Sequence, residues 1–178
     1  MKITDAGVEN LHTPCSLRTV SGKYVNVFEP DPDTLDINDI AHALAHQPRF
    51  GGHLPKFFSV AQHSFLCSLE APHNKELAFD LLMHDASEAY LIDLPRPIKV
   101  KILQYKEIED NLMGVLAKKF GFNWPMSGQV KVIDNWQLER EWNDLMLNRE
   151  VTSYRITPWA PQDAKEVFLN EFNRLCQR

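Results

Sequence analysis

Residues 77–90 read LAFDLLMHDASEAY, and this stretch decides the fold class. Leu77, Leu81, His84 and Glu88 recur at spacings of four, three and four, so a histidine and a glutamate extend the apolar face of a helix expected over residues 75–90. Ionisable groups on such a face need partners, because burying them unpaired is expensive. The available partners are one another or a cation.

The same helical periodicity runs outward in both directions. Upstream, Ile37, Ile40, Ala41, Leu44 and Ala45 mark a helix that Pro48 and Gly51-Gly52 end. Ser59, with Gln62 three residues later, is a capping-box signal opening a helix to about Leu69. Downstream, Leu94-Pro95-Arg96-Pro97 predicts a rigid break. A long helix follows over about 100–119 and meets Gly121 as its cap. After Trp124-Pro125-Met126-Ser127-Gly128 another helix covers about 129–148, and a last one runs over about 161–177 from Pro161, carrying Ala164, Val167, Phe168, Phe172 and Leu175. Residues 17–28, LRTVSGKYVNVF, contain β-prone pieces around Ser21-Gly22 and predict a small N-terminal hairpin, a flap or edge element. Six helices make an all-α domain the expected class. The chain's 178 residues suit one domain over 1–178, with a helical core over about 37–148.

Composition narrows function. With 44% of residues apolar and 24% charged, the chain has the makings of a packed core. A formal charge of −5 argues against non-specific binding to nucleic-acid phosphates, though not against a small anionic substrate in a cleft whose field one metal dominates. Three cysteines, Cys15, Cys67 and Cys176, are an odd number without a CxxC pair. No signal-like apolar segment opens MKITDAGVEN and no apolar run approaches a membrane span, so a reducing cytoplasmic setting is expected, with no membrane partner.

Two further segments carry chemistry. His63 lies in SVAQHSFLC, with Val60 three residues before it and Cys67 four after. Asp134 lies in VKVIDNWQLEREWNDL, where Leu138, Trp142 and Leu145 continue its face in an apolar stripe. Trp136 and Trp142 share that helix and fit packing, in a core or at an interface. His63, His84, Asp85 and Asp134 converge if three helices meet at one point. Imidazole nitrogens with carboxylate oxygens suit a single divalent ion: manganese, iron, cobalt, nickel or zinc.

The ordered pattern H…HDxxExxxxD…D over residues 63–134 resembles the HD superfamily of metal-dependent phosphohydrolases, and within it the branch similar to bacterial 5′-deoxynucleotidases. The resemblance implies an HD-domain helical bundle in which His63, His84, Asp85 and Asp134 bind the metal. Glu88 and Asp93, in HDASEAYLID, then assist Asp85 in activating water and positioning substrate. Arg49, in QPRFGGH, stands close to where that branch places a substrate-holding arginine, and a guanidinium fork suits phosphate oxygens. Lys56 offers a second cation. His53, in the glycine loop, either enters the pocket or fixes its neighbours; His12, His42, His46 and His73 read as surface or packing residues. Position 50 is phenylalanine where related enzymes can carry tryptophan, and the interval before the HD pair is shorter, which bears on base and sugar preference.

The implied reaction is hydrolysis of a phosphomonoester, such as a nucleoside 5′-monophosphate, by metal-activated water. The competing readings are a phosphodiesterase or nucleoside triphosphate hydrolase of the same superfamily, and a non-catalytic helical protein that keeps the metal. The absence of any histidine after His84 favours one metal over two. Relatives that can be dimeric allow a homodimer.

Overall fold

The computed structural model describes residues 15–149 and 156–176. It shows an all-α bundle with a small hairpin near the start of the chain. Strands β1 (Ser16–Arg18) and β2 (Tyr24–Asn26) pair antiparallel with Leu17 opposite Val25. The Ser21 amide and hydroxyl donate to the Asp39 carboxylate at 3.0 and 2.7 Å, tying the hairpin to α1 (Ile37–His46). Asp36 caps α1 by accepting from Asn38 N at 2.9 Å, and Ile40, Ala41, Leu44 and Ala45 are its buried face, as expected.

Ser59 caps α2 (Val60–Leu69), its hydroxyl accepting from Gln62 N at 3.1 Å. Gln62 does not return the favour. Its side-chain amide instead donates to Thr157 O at 2.8 Å and accepts from Trp159 N at 2.9 Å, fastening the approach to the last helix onto α2.

The helix expected over 75–90 is broken in two. α3 (Lys75–Met83) stops, four residues form a tight turn, and α4 (Glu88–Leu91) resumes. The reason is local. His84 Nδ1 donates to the Leu81 carbonyl at 2.7 Å, and the next amides reach back three residues instead of four, Ala86 N to Met83 O and Glu88 N to Asp85 O.

Where a rigid break was expected at residues 94–97, a short helix, α5 (Arg96–Lys99), forms with Pro97 in its first turn. α6 (Leu103–Phe120) ends at Gly121, whose φ is 85°. A Cβ there would meet nothing within 4 Å, so the cost of adding one is purely conformational. Gly121→Ala should therefore lower stability by about 1 kcal/mol, seen as a lower urea midpoint at unchanged slope.

α7 (Gly128–Glu141) passes into a π turn over Trp142–Met146, closed by Leu147 N on Trp142 O at 3.0 Å, in place of a helix reaching 148. α8 (Pro161–Cys176) begins where expected; residue 177, His12 and MKITDAGVEN lie outside the described residues. The core is built on Leu44, Leu81, Leu82, Leu112, Leu116 and Phe168. α2 packs on α1, α3, α7 and α8, so its side chains reach both α3 and α7. No helix among the described residues is long and apolar enough to cross a membrane.

The apolar stripe expected after Asp134 is not the buried face of α7. Val130, Gln137, Glu141 and Asp144 are buried, Leu138 and Leu145 are half-buried, and Trp136 and Trp142 are each 44% exposed and outside the core. The inward face is polar because it borders a cluster of ionisable groups on α2 and the turn after α3.

Candidate metal centre

Three helical segments deliver the donors. α2 presents His63, the tight turn after α3 presents His84 and Asp85, and α7 presents Asp134. His63 Nε2 lies 3.1 Å from Asp134 Oδ1, 3.3 Å from His84 Nε2 and 3.7 Å from Asp85 Oδ2. His84 Nε2 lies 3.2 Å from Asp85 Oδ2 and 3.6 Å from Asp134 Oδ1. A cation bound at about 2.1 Å to each donor requires neighbouring donors about 3.0 Å apart in an octahedron and about 3.4 Å in a tetrahedron. The observed separations, 3.1 to 3.7 Å, run from just above the octahedral edge to just beyond the tetrahedral one.

The outer nitrogens fix which ring atoms face inward. A carbonyl oxygen only accepts, so His84 Nδ1 carries the proton it gives to Leu81 O. His63 Nδ1 stands 2.6 Å from Glu141 Oε1 and donates to it. In neutral rings both Nε2 lone pairs therefore point into one space that also receives two carboxylate oxygens. That space calls for positive charge, either protons or a metal ion.

The electrostatics express the same demand. Burial lowers the His63 pKa and Arg49 opposes its charge, yet Cys67, Glu141 and Asp134 outweigh them and hold it well above the usual value. Burial also lowers His84, but Asp85 and Asp134 raise it further. Burial raises Asp134, and the two histidines pull it far below the usual carboxylate range. His63 and Arg49 overcome burial at Glu141 in the same direction.

Sequence reasoning missed two members of the group. Cys67 follows His63 by one helical turn and is buried, its Sγ 3.6 Å from His63 Nε2. His63, Cys67, His84 and Asp134 offer donor atoms within 4.8 Å of one another, a set that could hold a metal ion. The i+4 spacing from His63 was the signal. Glu141, fully buried, orients His63 while accepting from Gln137 Nε2 at 3.0 Å and from Arg49 Nε at 3.3 Å. Its spacing of seven from Asp134 was the signal there.

The other expected site residues divide. Arg49 is buried at the rim, its Nη1 3.6 Å from Asp93 Oδ2 and 3.9 Å from Asp85 Oδ2, longer than hydrogen bonds. Burial disfavours the Arg49 charge, but Glu141, Asp93 and Asp85 more than restore it. Glu88 is buried with Oε2 unpartnered and Lys99 Nζ 3.8 Å from Oε1; burial, and then the charges of Asp85 and Asp93, push its pKa well up. Burial also raises Asp93 against the pull of Arg49. Lys56 is exposed but joins Arg49, Leu54 and Phe57 along a cleft of about 310 Å³. His53 is exposed, and among the described residues neither it nor Lys56 pairs with the converging carboxylates. His42 and His46 stack on each other along α1, ring centroids 4.1 Å apart.

No known family profile matches the chain. It is 38% identical over 172 residues to the uncharacterized protein YfdR of Escherichia coli K12, an alignment that spans 90% of this chain and 96% of that one. It is also 33% identical over 122 residues to an uncharacterized protein of Rhodobacter capsulatus, covering 64% of this chain and 62% of the relative.

Proposed function

This chain belongs to the YfdR family, and we propose that it is a divalent-metal-dependent phosphohydrolase of the HD type acting on small phosphomonoesters, nucleoside 5′-monophosphates among them. The observation that carries this reading is the meeting of two imidazole lone pairs and two carboxylates in one space, with an arginine at its rim. That donor set fits one divalent ion, held by His63, His84, Asp85 and Asp134 with Cys67 beside them. Such an ion, when bound, polarises a phosphoryl oxygen and lowers the pKa of a water molecule.

The chain's own groups supply the rest. Arg49 borders both the donors and the cleft, with Nη1 beyond hydrogen-bond length of its carboxylates, so it can turn N–H groups toward phosphate oxygens. Lys56 on the same cleft adds positive charge where substrate enters. Asp93, at the end of α4, orients the attacking water. Glu88, whose burial and whose neighbours Asp85 and Asp93 favour its protonated form, is the carboxyl suited to give a proton to the leaving oxygen. Asp85 sits between metal donors and Arg49 and couples the two.

The test is phosphate release from nucleoside monophosphates, cyclic nucleotides and triphosphates. Metal-stripped protein is restored separately with manganese, cobalt, nickel, zinc or magnesium, beside Asp85→Asn. Metal-dependent release from monophosphates, reduced at least about 100-fold in the variant, is expected. Release from cyclic nucleotides or triphosphates alone moves the assignment to a diesterase or triphosphate hydrolase. Metal binding without release from any ester leaves a non-catalytic metal protein.

A further inference from the structure

Ile92 occupies a backbone region that is almost reserved for glycine. Its φ is 63° and its ψ 152°, and it is β-branched and 60% exposed, so no burial of its side chain repays the strain. It joins α4, which begins with Glu88, to Asp93, two carboxylates outside the donor set. Strain of this kind persists only where neighbouring contacts over-determine it.

Those contacts are present. The Gln47 side-chain amide grips both ends of the α4 segment, Nε2 donating to Glu88 O at 2.8 Å and Oε1 accepting from Asp93 N at 3.0 Å. Ile92 N donates to Glu88 O at 2.9 Å, and Tyr105 OH donates to Ile92 O at 2.9 Å. Gln47 itself is anchored. Its N–H donates to Ala43 O at 3.0 Å, and its carbonyl accepts from Val60 N at 3.1 Å.

Gln47 and Arg49 flank Pro48, which forms an isolated antiparallel bridge with Ser59, and Arg49 N donates to Phe58 O at 2.8 Å. In such an extended strap, residues two apart point to one side. Both meet Asp93: Gln47 at its backbone N–H, Arg49 at its carboxylate. One strap therefore carries the cation and fixes the acid that faces it.

We propose that Gln47 is a positioning residue that, by holding the strained Ile92 turn, sets the Asp93 carboxylate against Arg49 for water activation. This rests on the phosphohydrolase reading given above. Glycine at position 92 relieves the strain while the Gln47 clamp stays in place, so Ile92→Gly should gain stability and keep its turnover. A purely structural clamp would lower the melting temperature in Gln47→Ala and leave kcat unchanged.

The experiment is a cycle of Gln47→Ala, Asp93→Asn and the pair, in the metal-loaded full chain on the best monophosphate of the panel, with Ile92→Gly measured beside it. Gln47→Ala should cut kcat about tenfold with KM within about twofold, and Asp93→Asn should cut kcat about 100-fold or more. The double variant should be no slower than Asp93→Asn alone, because Gln47 acts through Asp93. Ile92→Gly, with the clamp intact, should melt roughly 2–6 °C higher and keep kcat within about twofold. Losses that multiply in the double variant, or an Ile92→Gly protein that melts no higher than wild type, overturn the proposal; so does a Gln47→Ala protein altered only in melting temperature or KM. If the metal-loaded wild type releases no phosphate, the phosphohydrolase reading itself fails and takes this role with it.

Discussion

Glu141→Gln should leave the protein folded yet weaken its hold on a divalent ion by about 10- to 100-fold, measured by competition with a chelator of known affinity. Glu141 touches no candidate metal position. It fixes the His63 ring through Nδ1, sets Nε2 inward as a lone pair, and takes Arg49 Nε on its other oxygen. An amide keeps the shape and still accepts from Nδ1, but it loses the charge that makes the imidazole a strong donor. Glu141→Ala should be far worse for folding, by about 3–5 kcal/mol, because it leaves the buried Arg49 without its closest carboxylate and His63 Nδ1 without an acceptor. Thermal melts of the two variants separate the effects: the glutamine protein, which keeps the shape and the Nδ1 acceptor but loses the charge beside Arg49, should melt below wild type when metal-free, and the alanine protein well below that. Equal metal affinity in Glu141→Gln and wild type would show that His63 is not a ligand oriented from behind.

The donors were legible chiefly where an ionisable side chain interrupts an apolar helical face. His63 and His84 stand where helical spacing calls for apolar side chains, Asp85 is adjacent to one of them, and Asp134 was picked out by a stripe that is not the buried face of α7; the structure brings all four together. Glu141 was illegible for the opposite reason. Phasing α7 on Leu138, Trp142 and Leu145 makes Glu141 look like one charge on a solvated face, and only contact with α2 reveals that Gln137 and Glu141 point inward. The break at 84–87 arises when an imidazole takes a backbone acceptor, which spacing does not encode. The Gln47 clamp left no trace at all, since isoleucine is among the last residues expected at positive φ.

Removing the metal should cost more stability at pH 8 than at pH 5.5, and the sign follows from the histidines. In the metal-free protein the raised pKa values of His63 and His84 contribute stability that is full below about pH 6.5, the unfolded value, and is lost as pH climbs through the folded values. The depressed Asp134 and Glu141 work the other way, contributing above about pH 4–4.5 and losing it only as pH falls through their folded values. The metal-free network is thus strongest between about pH 4.5 and 6.5, where protons fill the space between the rings. An ion must displace those protons to bind, so its advantage is small in that window and grows as the histidines deprotonate. With free ion at about 100 times its dissociation constant the linkage is worth about 2.7 kcal/mol. For a chain of this size that is about 5–11 °C in melting temperature. Melts of metal-loaded and chelated protein at pH 5.5 and 8 should show the gap opening on the alkaline side. A gap that is equal at both, or wider in acid, would mean that His63 and His84 are not what the ion displaces protons from, and no gap at either would remove the metal from this site altogether.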